Sequence, residues 1–129
     1  MTKTGKNKIL YWIATLWLAL GMVSTGIVQL LNTDQEAATI NRLGYPFYVL
    51  TLLGSWKIAG AIAVLLPGLL LLKEWAYAGF FFLMSGAIIS HIAIHDPLST
   101  LFPPLLLLAL TMASWYFRPA NRKIISVTQ

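Results

Sequence analysis

The 129-residue sequence contains no cysteine. That excludes disulfides, thiolate catalysis, and zinc or iron–sulfur sites held by cysteine within this chain. It also excludes the four-helix enzymes that pass disulfide electrons to quinone. Charge is scarce as well, at 10% of residues, where a soluble domain carries about 25%. Hydrophobic residues make up 58% and mean hydropathy is +0.75. A water-soluble chain is therefore excluded, and the length leaves no room for a large soluble catalytic domain. Acidic residues are few, four against nine Lys and Arg, for a net charge of +5. Most of these cations cluster towards the chain ends and form no surface patch. They fit a lipid bilayer as partner and give no reason to expect nucleic acid.

What the sequence does have is apolar length. The runs are Ile9–Leu31, Phe47–Leu72, Trp75–His95 and Leu98–Phe117. Each reaches about 20 residues, enough to cross a hydrocarbon core as a helix. Strand alternation is missing, as in Leu105-Leu106-Leu107-Leu108. The expected fold class is all-α, an integral membrane antiparallel four-helix bundle, with residues 1–129 forming one membrane domain. Lys73-Glu74 and Asp96-Pro97 read as short connections that force antiparallel neighbours. Pro67-Gly68 should bend or end the second helix. Pro103 and Pro104 fit two readings. Either both fall in the first turn of a helix capped by Thr100, or the helix starts at Pro97, capped by Asp96, and kinks. Between the first two runs, residues 32–46 suggest a short interfacial helix that stops near Gly44. The N-terminal run reads as a retained signal anchor, because its apolar core is too long for a cleaved signal and no small-x-small site follows.

Lys3, Lys6, Lys8, Lys73, Arg118, Arg122 and Lys123 fall on one side of this layout, and Arg42 on the other with Asp34, Glu36 and Asp96. The positive-inside rule then places both termini in the cytoplasm, in a bacterial inner membrane. Tyr11, Trp12, Trp75, Tyr77, Trp115 and Tyr116 would line the cytoplasmic interface, with Tyr45 and Tyr48 at the other. Small residues form stripes at Ser55, Ala59 and Ala63, and at Gly79, Gly86 and Ser90. These suit close packing, either inside the bundle or in a homo-oligomer.

Lys57 is the residue most suggestive of function. It lies about 15 Å along its helix from Phe47, near the membrane midplane, where a lysine costs about 2.5–3.5 kcal/mol. The competing reading is a lysine that snorkels to water. His91 and His95 share a helix face, and His91 leans inward while Lys57 leans outward. A polar cluster of Lys57, His91 and Asp96 is expected in the outer half of the bundle. Gln29, with Thr25 one turn earlier, and Glu36 are placed to join it. Two histidines on one helix do not complete a metal site, and haem would need opposing helices, so no metal is expected. Asp96 could instead cap a helix, Gln29 could serve as interhelical glue, and His95 fits an interfacial position.

Several strings resemble the DoxX-like membrane family. They are Leu43-Gly44-Tyr45-Pro46, Gly54-Ser55-Trp56-Lys57 with Gly60-Ala61 and Leu66-Pro67, and the run from Lys73 to Phe82. Ser85-Gly86-Ala87, Ser90-His91, Asp96 and the stretch from Ala113 to Pro119 extend the match. The resemblance implies a small four-helix membrane bundle, with Lys57, His91 and Asp96 at shared motif positions. His95 departs from the pattern, where a small residue such as glycine is expected. The family is named after a subunit associated with thiosulfate:quinone oxidoreductase, and a distant branch assists receptor assembly. Two functions stay open on this reading. One is a redox-complex accessory subunit binding quinone, with Lys57 and His91 on the head group and a membrane redox partner carrying the electrons. The other is a non-enzymatic protein that binds lipid or assists assembly of partner membrane proteins. Small-molecule export ranks behind both, because Ile9–Leu31 holds no carboxylate.

Overall fold

The computed structural model describes residues 3–122, with side chains from Gly5 onward. The Lys3 side chain and Lys123 lie outside the described residues. The described chain is helical: α1 (Lys3–Leu30), α2 (Asp34–Leu43), α3 (Tyr48–Leu65), α4 (Leu70–Ala93) and α5 (Phe102–Tyr116), with short 3-10 turns at Leu98–Leu101 and Ala120–Arg122. Four segments are long and apolar enough to cross a membrane: Gly5–Leu30, Tyr48–Leu65, Leu70–Ala93 and Leu98–Tyr116. They pack as a ring in the order α1, α3, α4, α5, closed by α1 against α5. Large apolar side chains such as Leu20, Phe82 and Ile89 stay exposed around the ring. Water would not tolerate such a belt, and lipid does. The protein is an integral membrane helical bundle. The end holding Tyr11 and Arg122 is termed the terminal end, and the end holding Tyr45 and Asp96 the distal end.

The break between the second and third spans falls earlier than Lys73-Glu74. Pro67 holds Leu66 in extended conformation, and Gly68 (φ 72°) and Leu69 (φ 55°) turn the chain in the left-handed region. The α4 helix then begins at Leu70, so Lys73 and Glu74 sit in its opening turns. The α5 helix starts at Phe102 with prolines in its first turn. Thr100 does not cap it, since its hydroxyl donates to the Pro97 carbonyl at 2.7 Å. The short helix expected near Gly44 is α2. Thr33 caps its start by accepting from the Glu36 amide at 3.3 Å, and Gly44 (φ 89°) ends it. His95 takes the equivalent left-handed position after α4, at φ 59°. Its own amide and that of Asp96 bond back to Ile92 and His91. This termination favours glycine, and a side chain there costs about 1–2 kcal/mol.

The core contains Leu18, Met22, Leu50, Val64, Tyr77, Phe80 and Met84. Two aromatics expected at the interface, Tyr11 and Tyr77, are buried instead. Their hydroxyls explain this, because each finds a partner inside. Tyr77 shares a 2.8 Å hydrogen bond with Ser114, and Ser114 shares one of 2.5 Å with Thr15. Tyr11 accepts from Arg122 at 3.4 Å. A buried hydroxyl with a partner avoids the cost of a lost hydrogen bond.

Candidate functional site

On α3, Leu50, Gly54, Lys57, Ala61 and Val64 form one buried stripe at three- and four-residue spacing. That face meets α1, where Gly26 and Gly54 approach so closely that a Cβ on Gly54 would lie 2.7 Å from the Gly26 carbonyl oxygen. The Lys57 ammonium is therefore enclosed, with the residue 6% exposed. It donates one long hydrogen bond, 3.4 Å, to the Thr25 hydroxyl. Thr25 in turn donates to the Gly21 carbonyl at 2.7 Å. An ammonium carries three donors, so Lys57 has donors unused among the described residues. Glu36 stands in the first turn of α2. Among the described residues it and Lys57 make no direct ion pair.

Gln29 sits one turn beyond Thr25 on the inner face of α1 and is 8% exposed. Its side-chain oxygen is buried and has no hydrogen-bond partner among the described residues. Such an acceptor costs about 1–3 kcal/mol unless something donates to it. Lys57 and Gln29 thus leave opposite hydrogen-bonding demands on neighbouring inner faces. The ammonium needs acceptors and the amide oxygen needs a donor.

His91 and Asp96 come together at the distal end. The His91 Nδ1 donates to Asp96 Oδ2 at 2.5 Å, and Arg42 from α2 pairs with Oδ1 of the same carboxylate. Near them, Tyr45 and Ser90 share a 2.9 Å hydrogen bond. Asp96 is thus an ion-pair hub and not a helix cap. Among the described residues no hydrogen bond joins Lys57 to His91. The distal half therefore holds two constellations, Lys57–Thr25–Gln29 inside the α1–α3 seam and Arg42–Asp96–His91 at the end of α4. His95 is exposed and joins neither. The sequence reading gave Arg42 no site role, although its position as the sole cation beside Asp96 was a usable signal. Among the described residues no group of three His, Asp or Glu side chains gathers to hold a metal ion.

The hydrogen bond from His91, opposed by partial burial and reinforced by the Arg42 charge, holds the Asp96 carboxyl below its ordinary range. A carboxyl depressed in the fold contributes stability above its unfolded value, about 3.9, and loses it as pH falls through the lower folded value. The Asp96 cluster should therefore stay intact at pH 5 and give way only below about 4. Infrared titration of the protonated-carboxyl band, compared with Asp96→Asn, checks this. Protonation of Asp96 above pH 5 would refute it.

Two further cavities are apolar. A groove of about 800 Å³ between α3 and α4 is lined by carbon-rich side chains including Trp56, Gly60, Trp75, Gly79 and Phe80. At the distal end a cleft of about 430 Å³ separates α2 from the start of α3. Against this geometry, the sequence matches the DoxX-like family over residues 13–114. No curated protein and no solved structure matches the chain.

Proposed function

The chain belongs to the DoxX-like family, and we propose that it acts as an accessory subunit of a membrane redox complex, seating a quinone head group or a similar small ligand at Lys57. The observation that carries the reading is the enclosed Lys57 ammonium with a single 3.4 Å hydrogen bond. A charge at that depth is costly unless it serves something. A quinone carbonyl would accept from it, and a quinol hydroxyl would donate to the vacant Gln29 oxygen. Nothing in the chain carries electrons itself, so turnover belongs to a redox partner. His91, expected on the head group, is occupied by Asp96 on the Nδ1 side. We assign it to the distal cluster and not to the ligand.

The proposed orientation is both termini in the cytoplasm, which makes the distal end the non-cytoplasmic one. The supporting feature is the charge distribution, with Lys6, Lys8, Lys73, Arg118 and Arg122 at the terminal end and Arg42 at the distal end.

The test is the absorbance and organic extract of the purified protein, wild type beside Lys57→Met. The wild type should retain quinone in near-stoichiometric amount. Lys57→Met should insert normally, lose the quinone, and gain stability in detergent because it no longer buries a charge. Bare wild-type protein, or phospholipid alone in the extract, would overturn the reading in favour of a lipid-binding or assembly role.

A further inference from the structure

We propose that α2 is a hinged lid over the Lys57 site and that the Arg42–Asp96–His91 cluster is the latch that holds it closed. The inference rests on the ligand-site reading above and gives that site a controlled opening.

The α2 helix is built to move as a unit. Left-handed residues flank it on both sides, Asn32 (φ 51°) before it and Gly44 (φ 89°) after it. Such positions absorb large backbone changes over one or two residues. The helix is also lightly held. Only Ile40 among its residues is buried. The cleft of about 430 Å³ beneath it is lined by Asn32, Ala37, Phe47, Tyr48, Leu50 and Thr51. A segment with so little buried apolar contact belongs to the low-stability end of a fold.

The cleft and the site share one face of α3. Leu50, on the cleft wall, is fully buried and begins the same α3 stripe that holds Lys57. Two helical turns, about 10 Å, separate them. Ala37, one residue past Glu36 on α2, lines the same cleft as Leu50. Closure of α2 therefore covers Leu50 at the start of the stripe that holds Lys57.

The latch is the long-range tie. Arg42 stands in the last turn of α2, and its carboxylate partner lies beyond the far end of α4. His91 fixes the other oxygen of that carboxylate, so Asp96 cannot turn to follow Arg42. Tyr45 on Ser90 adds a second, uncharged tie just past the Gly44 hinge. Removing the Asp96 charge releases Arg42 and leaves α2 itself held by Ile40, while the hydroxyl pair anchors the chain beyond the hinge.

The absence of native cysteine makes the test free of background. Leu50→Cys, in the full chain in lipid nanodiscs, is labelled with a membrane-impermeant maleimide. Asp96→Asn and Arg42→Gln should each raise the labelling rate about tenfold, the signature of a population shift towards an open state. Arg42→Lys, which keeps the charge, should stay within about twofold. A rate unchanged by both charge-removing variants overturns the lid. Should Leu50→Cys fail to insert, spin labels at Gln35→Cys and Ser99→Cys decide alone. Asp96→Asn should then add a longer distance population, and a single unchanged distance overturns the proposal. Neither readout involves a bound ligand, so the lid and the quinone reading can fail independently.

Discussion

Replacing Lys73 with methionine should cost the fold about 2–5 kcal/mol, because it uncovers two helix-end carbonyls at once. The reason lies in how α3 stops. Pro67 and the left-handed Gly68 end the helix, and the last four carbonyls of any helix lack intrahelical donors. In a bundle facing lipid, water cannot serve all of them. Here the four are divided between two cations. Lys73 donates to Ala63, at 2.8 Å, and to Leu66. Arg122 donates to Val64 at 3.0 Å and to Leu65 at 3.1 Å. Both cations also face the negative end of the helix dipole. Arg122 is further held over the Trp12 ring at 4.7 Å. Methionine matches the length of lysine and fills its space, so Lys73→Met isolates the loss of donors from any loss of volume. Thermal unfolding in detergent measures it, with the exposed Lys6→Met as a control expected within about 0.5 kcal/mol of wild type. A loss for Lys73→Met no larger than that control would sink the argument. The same reasoning separates Lys73 from Lys57, which caps no carbonyl among the described residues.

The capping pair also shows what the sequence could and could not convey. Spans, their number and the interfacial α2 are written in composition, since lipid demands long apolar helices whatever their neighbours. The turn at Pro67-Gly68 was legible as a bend. The charged pair Lys73-Glu74, read as the connection, instead lies inside α4. Physically, proline and a left-handed glycine end a helix, whereas a lysine can be buried if carbonyls receive it. The distal site was legible residue by residue and not in its pairing. Lys57, His91 and Asp96 lean towards one level, as helix direction requires. Rotation about the helix axis decides which neighbour each meets, and that is set by packing. The close approach of Gly26 and Gly54 turns Lys57 to Thr25 on α1, and Asp96 claims His91. The inward tyrosines illustrate the same limit. An aromatic belt and a buried hydroxyl network use the same residue types at the same depth.

Substitution of Gly54 by leucine should destabilise the bundle by about 3 kcal/mol and open the seam that encloses Lys57. A Cβ at Gly54 meets the Gly26 carbonyl oxygen at 2.7 Å and Leu30 Cγ at 2.9 Å. The first is backbone and cannot swing aside, so α1 and α3 must separate. This seam is the most extensive in the bundle, and it carries the Lys57–Thr25 hydrogen bond one turn below. The helices cannot part at Gly54 and keep a 3.4 Å bond beside it. Gly79 and Gly86 provide the contrast. A Cβ at either meets nothing within 4 Å, so these two glycines are not spent on packing within the described bundle. Gly79→Ala and Gly86→Ala should each stabilise by about 0.5–1 kcal/mol, the helix-interior gain of alanine over glycine. All three variants can be compared by unfolding in one detergent, with quinone retention measured alongside. Gly54→Leu should lose stability, together with any quinone the wild type retains, while the two alanine variants behave as wild type in retention. If Gly54→Leu unfolds no earlier than Gly79→Ala, then α1 and α3 do not meet at Gly26 and Gly54, and Lys57 is not enclosed by that contact.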